Sequence, residues 1–383
     1  MLKGIPPNVF FLGLVSLLND TASEAIFSVL PVFMSAVLRI DYATIGVIEG
    51  AAESAASFLK LASGWASDRM KKRKGIALAG YALSSAVKPL FAFAAGALDV
   101  AAIRVLDRIG KGVRTSPRDA LVADSTPERF RGKAFGFHRA MDTLGAVAGP
   151  LLAFAFLYYF GASEASYRNM FLLTAIPGAA SLLLLWLFVK EKKAKGGRAM
   201  RLLDFSFLST EARAFMLAVF VFSLTNYSYA FLVLRAGELG VGAAFIPLLY
   251  LLYNIVYASL ATPAGALADR IGGKRVLAAG WLAFIAVGVG FALAGEWWQA
   301  VPLFVLYGCF SAVHETVVRS HVSLMVAPAR RGSALGALHF LLGIGALPAS
   351  AVMGWVWSAW GASAAFALSA AVAAAALLIL AKR

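Results

Sequence analysis

Apolar stretches about twenty residues long recur along the whole chain, each long enough to cross the hydrocarbon core of a bilayer as a helix. Few folds are open to such a chain. In lipid every backbone N–H and C=O must bond internally, so the spans are helices packed into a bundle. Spans read near 9–38, 43–67, 75–97, 99–123, 131–158, 168–189, 212–235, 243–268, 275–295, 299–326, 332–357 and 362–381. Only 14% of the residues are charged, against about 25% in a soluble domain. The net charge of +15 does not mark a nucleic-acid partner, because it sits in short loops between spans.

With the N-terminus placed in the cytoplasm, 23 Lys and Arg fall in cytoplasmic segments, among them Lys3, the 69–74 loop, 190–201 and Arg330/Arg331. Only 3 lie outside: Arg39, Arg168 and Arg235. That asymmetry orients both termini to the cytoplasm of a plasma (inner) membrane. Residues 1–7 are too short, and the first apolar stretch with Asp20 and Glu24 too polar, for a cleavable leader. The single cysteine, Cys309, forms no internal disulfide.

The basic, Gly-containing segment 190–210 divides the chain into 1–189 and 211–383, and the two parts repeat each other. Gly64-Trp-Ala-Ser-Asp68-Arg69 returns as Gly265-Ala-Leu-Ala-Asp269-Arg270 at an offset of 201. Arg131-Gly132-Lys-Ala134-Phe-Gly136 returns as Arg331-Gly332-Ser-Ala334-Leu-Gly336 at an offset of 200, and Gly145 matches Gly345 at the same offset. Two related six-span halves with a cavity between them are a design for moving a solute.

The motifs carry a family resemblance. Gly64-x-x-x-Asp68-Arg69-x-x-Lys72-Arg73, and more closely Gly265-x-Leu-Ala-Asp269-Arg270-x-Gly272-x-Lys274-Arg275, resemble the loop motif of the major facilitator superfamily. Arg104-x-x-Asp107-Arg108-x-Gly110 is similar to its fourth-span arginine motif, with Arg108 where a glycine is usual. Gly136-x8-Gly145-x3-Gly149-Pro150 is similar to its fifth-span motif of proton-exchanging exporters, with Ala153 in place of the last glycine. The resemblance spans the full chain. It implies an all-α membrane protein of twelve transmembrane helices in two pseudo-symmetric six-helix bundles, working as a monomer by alternating access. It names no substrate.

Physical chemistry gives these motifs work to do. Asp68 and Asp269, each followed by an arginine, can approach a neighbouring helix N-terminus, a contact that breaks and reforms as the halves rock. Gly64, Asp68, Arg69, Gly265, Asp269 and Arg270 are therefore gating candidates; the plainer reading of the basic run is orientation alone. Gly136, Gly145 and Gly149 permit close helix approach, and Pro150 removes a backbone donor.

Buried charge is the most informative feature. The spans contain nine cations (Lys60, Lys88, Arg104, Arg108, Lys111, Arg114, Arg118, Arg139, Arg319) and eight anions (Asp20, Glu24, Glu49, Glu53, Asp107, Asp119, Asp142, Glu315). Each isolated charge costs at least ~2.5–3.5 kcal/mol at mid-bilayer, so most must pair or face water. On the fourth span Arg104, Asp107, Arg108, Lys111, Arg114 and Arg118 share an arc of about 120°. Glu49 and Glu53 share a stripe on the second, and Asp20 and Glu24 lie one turn apart on the first. The second half offers Asn226, Tyr227, Tyr253 and Asn254. A charged wall facing an aromatic one suits a small amphiphilic solute. Proton coupling needs a group that titrates near neutrality, and Asp20, Glu24, His138 and Asp142 are the candidates.

The rival readings are transport of an organic anion or phosphorylated metabolite, suggested by the arginine stripe, and export of a divalent metal, suggested by His314, His321, Met325 and His339. Histidines held by packing explain the last set more simply, and no metal or cofactor site is expected. His314-Glu315 with His321 lacks the four-residue spacing of a zinc protease, and no phosphate-binding Gly-rich loop is present. Neither an enzyme nor an ATP-driven pump is expected. The partners are the solute, protons and the lipid bilayer.

Overall fold

The computed structural model describes residues 5–70, 72–192, 208–327 and 330–381, with 68 and 331–333 as backbone only. These residues form twelve membrane-length helical segments and no strand. In chain order they are α1 (Pro7–Val37), α2 (Tyr42–Met70), α3 (Lys74–Phe93), α4 (Ala97–Asp124), α5 (Arg131–Phe160) and α6 (Glu164–Phe188). The second set is α7 (Thr210–Ser223 and Ala230–Glu238), α8 (Ile246–Ile271), α9 (Gly273–Leu293) and α10 (Ala300–Leu324). A last helical stretch, Arg331–Ala381, divides at Gly361 into α11 and α12. An even number of crossings places both ends of the chain on one side, the terminus side; the other is the far side.

Eight stretches are long and apolar enough to span by composition alone, one of them the joined α11 and α12. The others have physical reasons for failing that test. α2 and α4 carry many of the ionisable residues, and α7 is interrupted at 224–229. The interruption falls on the polar run Thr225-Asn226-Tyr227-Ser228-Tyr229, where a continuous span was expected.

Local chemistry sets the helix ends. Asp41 caps α2, accepting from the Thr44 amide at 2.9 Å and the Thr44 hydroxyl at 2.6 Å. Ser163 and Ser209 accept from Ser166 and Ala212 in the same way. Gly361 turns the chain between α11 and α12 at φ 84° and Gly272 between α8 and α9 at φ 98°, conformations that side chains with a Cβ resist.

The internal repeat reappears as packing. A methyl group at Gly64 would lie 3.3 Å from Ser116 on α4, and one at Gly265 would lie 3.3 Å from Thr316 on α10. The same helix pair makes the same close approach in both halves. α5 lies against α1 through Gly145 and Gly149, where an added methyl would meet backbone atoms of Leu17, Thr21 and Ala25 at 2.7 Å. Gly136 makes no such approach: its Cα faces open space. The expected segment 190–210 falls mostly on residues 193–207, outside the described residues.

Candidate functional site

The halves meet most tightly on the far side. α2 and α11 touch backbone to backbone: a methyl at Gly46 would collide with the Ser350 carbonyl, and one at Gly354 with that of Tyr42. Glu238 of α7 accepts from the Tyr42 hydroxyl at 2.9 Å and the Trp357 indole at 3.0 Å. The Tyr229 hydroxyl donates to the Phe27 carbonyl at 3.0 Å.

Beneath this contact is a layer of two ion pairs, one of them fully dehydrated. Arg104 holds Glu49 through two parallel bonds of 2.8 and 2.7 Å, with side chains 0% and 1% exposed. Ser228, in the break of α7, donates to the same carboxylate at 2.9 Å, so this α2–α4 ion pair also ties the halves together. Arg108 pairs with Glu53 at 2.9 Å. Both guanidinium groups lie over the Phe27 ring, 4.0 and 4.9 Å from its centre, an attraction that strengthens where water is excluded.

Below that layer is a cavity of about 410 Å³ between the halves. It runs from Glu24 and Tyr253 toward the terminus-side ends of α4 and α10, where Asp119 and Arg319 are roughly half exposed. The first half supplies Asp20, Glu24, Lys60, Lys111, Arg114, Arg118, Asp119, Arg139 and Asp142; the second supplies Tyr253, Asn254, Tyr257, Glu315 and Arg319. Arg118 pairs with Asp119 at 2.9 Å, Arg319 with Glu315, and Arg114 loosely with Asp20 at 3.8 Å. Two contacts cross the cavity: the Tyr250 hydroxyl donates to Glu24 at 2.7 Å, and Arg139 donates to the Tyr257 hydroxyl at 2.7 Å. The aromatic wall centres on Tyr253, whose ring lies 5.7, 6.3 and 5.2 Å from those of Tyr250, Tyr257 and Tyr307.

A third polar group lies inside the first half. Lys88, fully buried, donates to the Asn19 side chain at 2.8 Å, and Asp107 accepts from Ser84 at 2.5 Å. These contacts bind α1, α3 and α4 together behind the cavity wall.

The structure sorts the candidate residues. Asp20, Glu24, Lys111, Arg114, Asp142, Tyr253 and Asn254 line the cavity, while Glu49, Glu53, Arg104 and Arg108 form the layer above it. His138 is buried with its ring nitrogen 3.5 Å from Asp142. One expectation needs correction. Tyr227 and Asn226 are absent from the cavity lining, because the break in α7 turns Tyr227 into the second half, against Phe231, Phe284 and Phe366. Lys111 makes no ion pair or hydrogen bond through its amine among the described residues, but it faces Glu53, Glu24, Arg108 and Lys60.

Lys60, Arg118, Arg139, Glu315 and Arg319 carried a signal in the sequence, being ionisable residues within spans. Tyr257 has the weaker signal of one helical turn from Tyr253. Of the gating candidates, Asp269 and Arg270 are exposed, Arg69 lies over the Trp65 ring at 5.3 Å, and the Asp68 side chain falls outside the described residues. His314 accepts from the Trp281 indole at 3.1 Å within an aromatic cluster. Among the described residues no group of three or more His, Cys, Asp or Glu could hold a metal ion, so the metal-export reading has no ligand set there.

Comparison with known proteins agrees with this architecture. The model of the Major Facilitator Superfamily matches residues 12–233 and 214–383. An uncharacterized MFS-type transporter of Methanocaldococcus jannaschii is 36% identical over 362 residues, covering 93% of this chain and 89% of that protein. Among solved structures, the nucleoside transporter NupG superposes with a TM-score of 0.77 at 16% identity, covering 98% of this chain and 98% of the other. A bacterial homolog of the human lysosomal transporter Spinster, in an inward-facing and occupied conformation, also superposes at 0.77, with 17% identity, covering 98% and 94%. The two sequence halves, the twelve helices and these matches agree: the chain belongs to the Major Facilitator Superfamily of membrane transporters.

Proposed function

We propose that the chain is a proton-coupled secondary transporter that moves a small amphiphilic organic solute by alternating access. One observation carries the reading: one cavity is lined by nine charged side chains of the first half and by tyrosines, Asn254 and the Glu315–Arg319 pair of the second, and is closed on the far side. Such a cavity reaches the opposite side when the α2–α11 contact opens and the terminus side closes. Residues 1–189 and 211–383 are the moving units, joined by 190–210. The basic loops support a cytoplasmic terminus side and a place in the plasma (inner) membrane, and the exposed Asp269–Arg270 supports a gate that pairs only in the alternate state. The α5 motif supports exchange of solute for protons, and hence export.

Glu24 is the carboxylate that best fits the coupling role. Asp20 has Arg114, and Asp142 has His138. Glu24 has no cation within ion-pairing distance among the described residues and is bound instead by Tyr250 of the other half. A carboxylate bridging the halves links its own proton to their separation.

The test is flux in proteoliposomes under an imposed pH gradient with the membrane potential clamped. Wild type is expected to accumulate solute, and Glu24→Gln to exchange solute without accumulating it. Flux that ignores the pH gradient removes proton coupling and leaves a uniporter.

A further inference from the structure

We propose that the cavity takes an organic anion with a planar unsaturated body, its acidic group held by Lys60 and Lys111 and its ring laid on Tyr253 and Tyr257. The proposal rests on the transporter reading of the same cavity and adds the class of its substrate.

The cavity's other cations have uses. Arg114, Arg118 and Arg319 face carboxylates, and Arg139 is bound to Tyr257. The amines of Lys60 and Lys111 have neither ion pair nor hydrogen bond among the described residues. Glu53, a carboxylate near both, is held by Arg108 at 2.9 Å. Glu24 also faces Lys111 and Glu315 faces Lys60, but none of these carboxylates lies within ion-pairing distance of the amines among the described residues. Amines inside a membrane protein without a direct counter-ion are costly unless an anion joins them. Among the carboxylates that remain, Glu24 is bound by Tyr250 and Asp142 lies against His138.

The two amines are also built into place. α2 and α4 are in backbone contact at this level: a methyl at Gly112 would meet the Leu59 side chain at 2.7 Å and the Ala56 carbonyl at 2.8 Å. The Ser63 hydroxyl donates to the Gly112 carbonyl at 2.9 Å, and the Ser116 hydroxyl to the Lys60 carbonyl at 2.7 Å. Lys60 and Lys111 therefore leave neighbouring points on two clamped helices. Lysine amines are point charges suited to a carboxylate or phosphate without demanding a bidentate fit. Across the cavity, Tyr253 and Tyr257 lie at 23° to each other with ring centres 6.3 Å apart. Arg139 engages the Tyr257 hydroxyl and lies over that ring, 5.5 Å from its centre, which leaves the Tyr253 ring and the other face of Tyr257 to a solute.

The experiment measures binding to purified, detergent-solubilised full-length protein, using benzoate, cyclohexanecarboxylate, benzylamine and inorganic phosphate as probes. Benzoate is expected to bind, cyclohexanecarboxylate and phosphate more weakly, and benzylamine not at all. Lys60→Gln and Lys111→Gln are each expected to weaken benzoate roughly ten-fold or more, the loss of one charge-assisted hydrogen bond. Neither should lower the melting temperature without ligand, since each removes an unpaired amine; Lys60→Arg/Lys111→Arg is expected to keep benzoate binding. The proposal is overturned if no anion binds wild type, if benzylamine binds as well as benzoate, or if Lys60→Gln/Lys111→Gln binds benzoate unchanged. Flux of the same probes separates the two layers. Benzylamine bound and carried leaves the transporter and removes the anion; benzoate bound with no solute carried does the reverse.

Discussion

Replacing Arg104 by Met removes one partner of an ion pair from which water is excluded on both sides. Glu49 is left 1% exposed, with the Ser228 hydroxyl as its remaining donor. Breaking a buried pair in this way costs about 3–5 kcal/mol, most of it the penalty of a stranded charge and not the worth of the pair. The adjacent pair is an internal control. Glu53 is 42% exposed in its side chain, so it rehydrates when Arg108→Met removes its partner, and the loss should be nearer the ~1 kcal/mol of a surface pair. Within the fourth-span arginine stripe the geometry places the larger cost on Arg104, not on Arg108. The assay is equilibrium denaturation of purified protein in detergent for Arg104→Met, Glu49→Gln, the double variant and Arg108→Met. The double variant should recover most of the loss, because it strands no charge. Refutation would be an Arg104→Met loss below about 1 kcal/mol, or a double variant no more stable than Arg104→Met alone.

Further outcomes follow from packing and capping. Gly149→Ala places a methyl 2.7 Å from backbone atoms of α1 and should destabilise by about 1–3 kcal/mol, whereas Gly136→Ala meets nothing and should be neutral or gain up to ~1 kcal/mol of helix propensity; thermal melting distinguishes them. Gly46→Ala cannot keep the backbone contact of α2 with α11 and should shift the protein toward a far-side-open state. A cysteine at Ser228, in a Cys309→Ser background, should then become reactive to an impermeant reagent from the far side. Asp41→Ala should cost about 1 kcal/mol as a lost cap. The hydrogen bonds from Thr44 hold the Asp41 carboxyl below its ordinary range. The cap's contribution should therefore be complete above that range and fade as pH falls through the lowered folded-state value, a trend that pH-dependent melting of wild type against Asp41→Ala reads directly.

The twelve crossings, the two-fold repeat and the ionisable face of α4 were legible because each is a one-dimensional pattern of span length, a fixed offset near 200 and helical phase. Partner choice was not legible. That Arg104 takes Glu49 while Lys111 makes no ion pair among the described residues depends on the depth of each residue and on how far α2 and α4 interlock at Gly112, which no spacing records. The misplacement of Tyr227 has a related cause. Periodicity assumes a continuous helix, and the polar run 225–229 breaks α7 and rotates everything after it. The glycines show the same limit: Gly136 and Gly149 look alike in the sequence, yet Gly149 alone meets another helix.

The central claim is that the two halves rock about the charged cavity, opening it to each side in turn. Spin-label distances test it without knowledge of the solute, using Leu98→Cys with Trp297→Cys on the far side and Arg129→Cys with Leu324→Cys on the terminus side, in a Cys309→Ser background. All four positions are exposed. The account predicts two populations at each pair, with Gly46→Ala lengthening the far-side distance while the terminus-side distance shortens. A single unchanging distance at both pairs, in wild type and in Gly46→Ala alike, would contradict it.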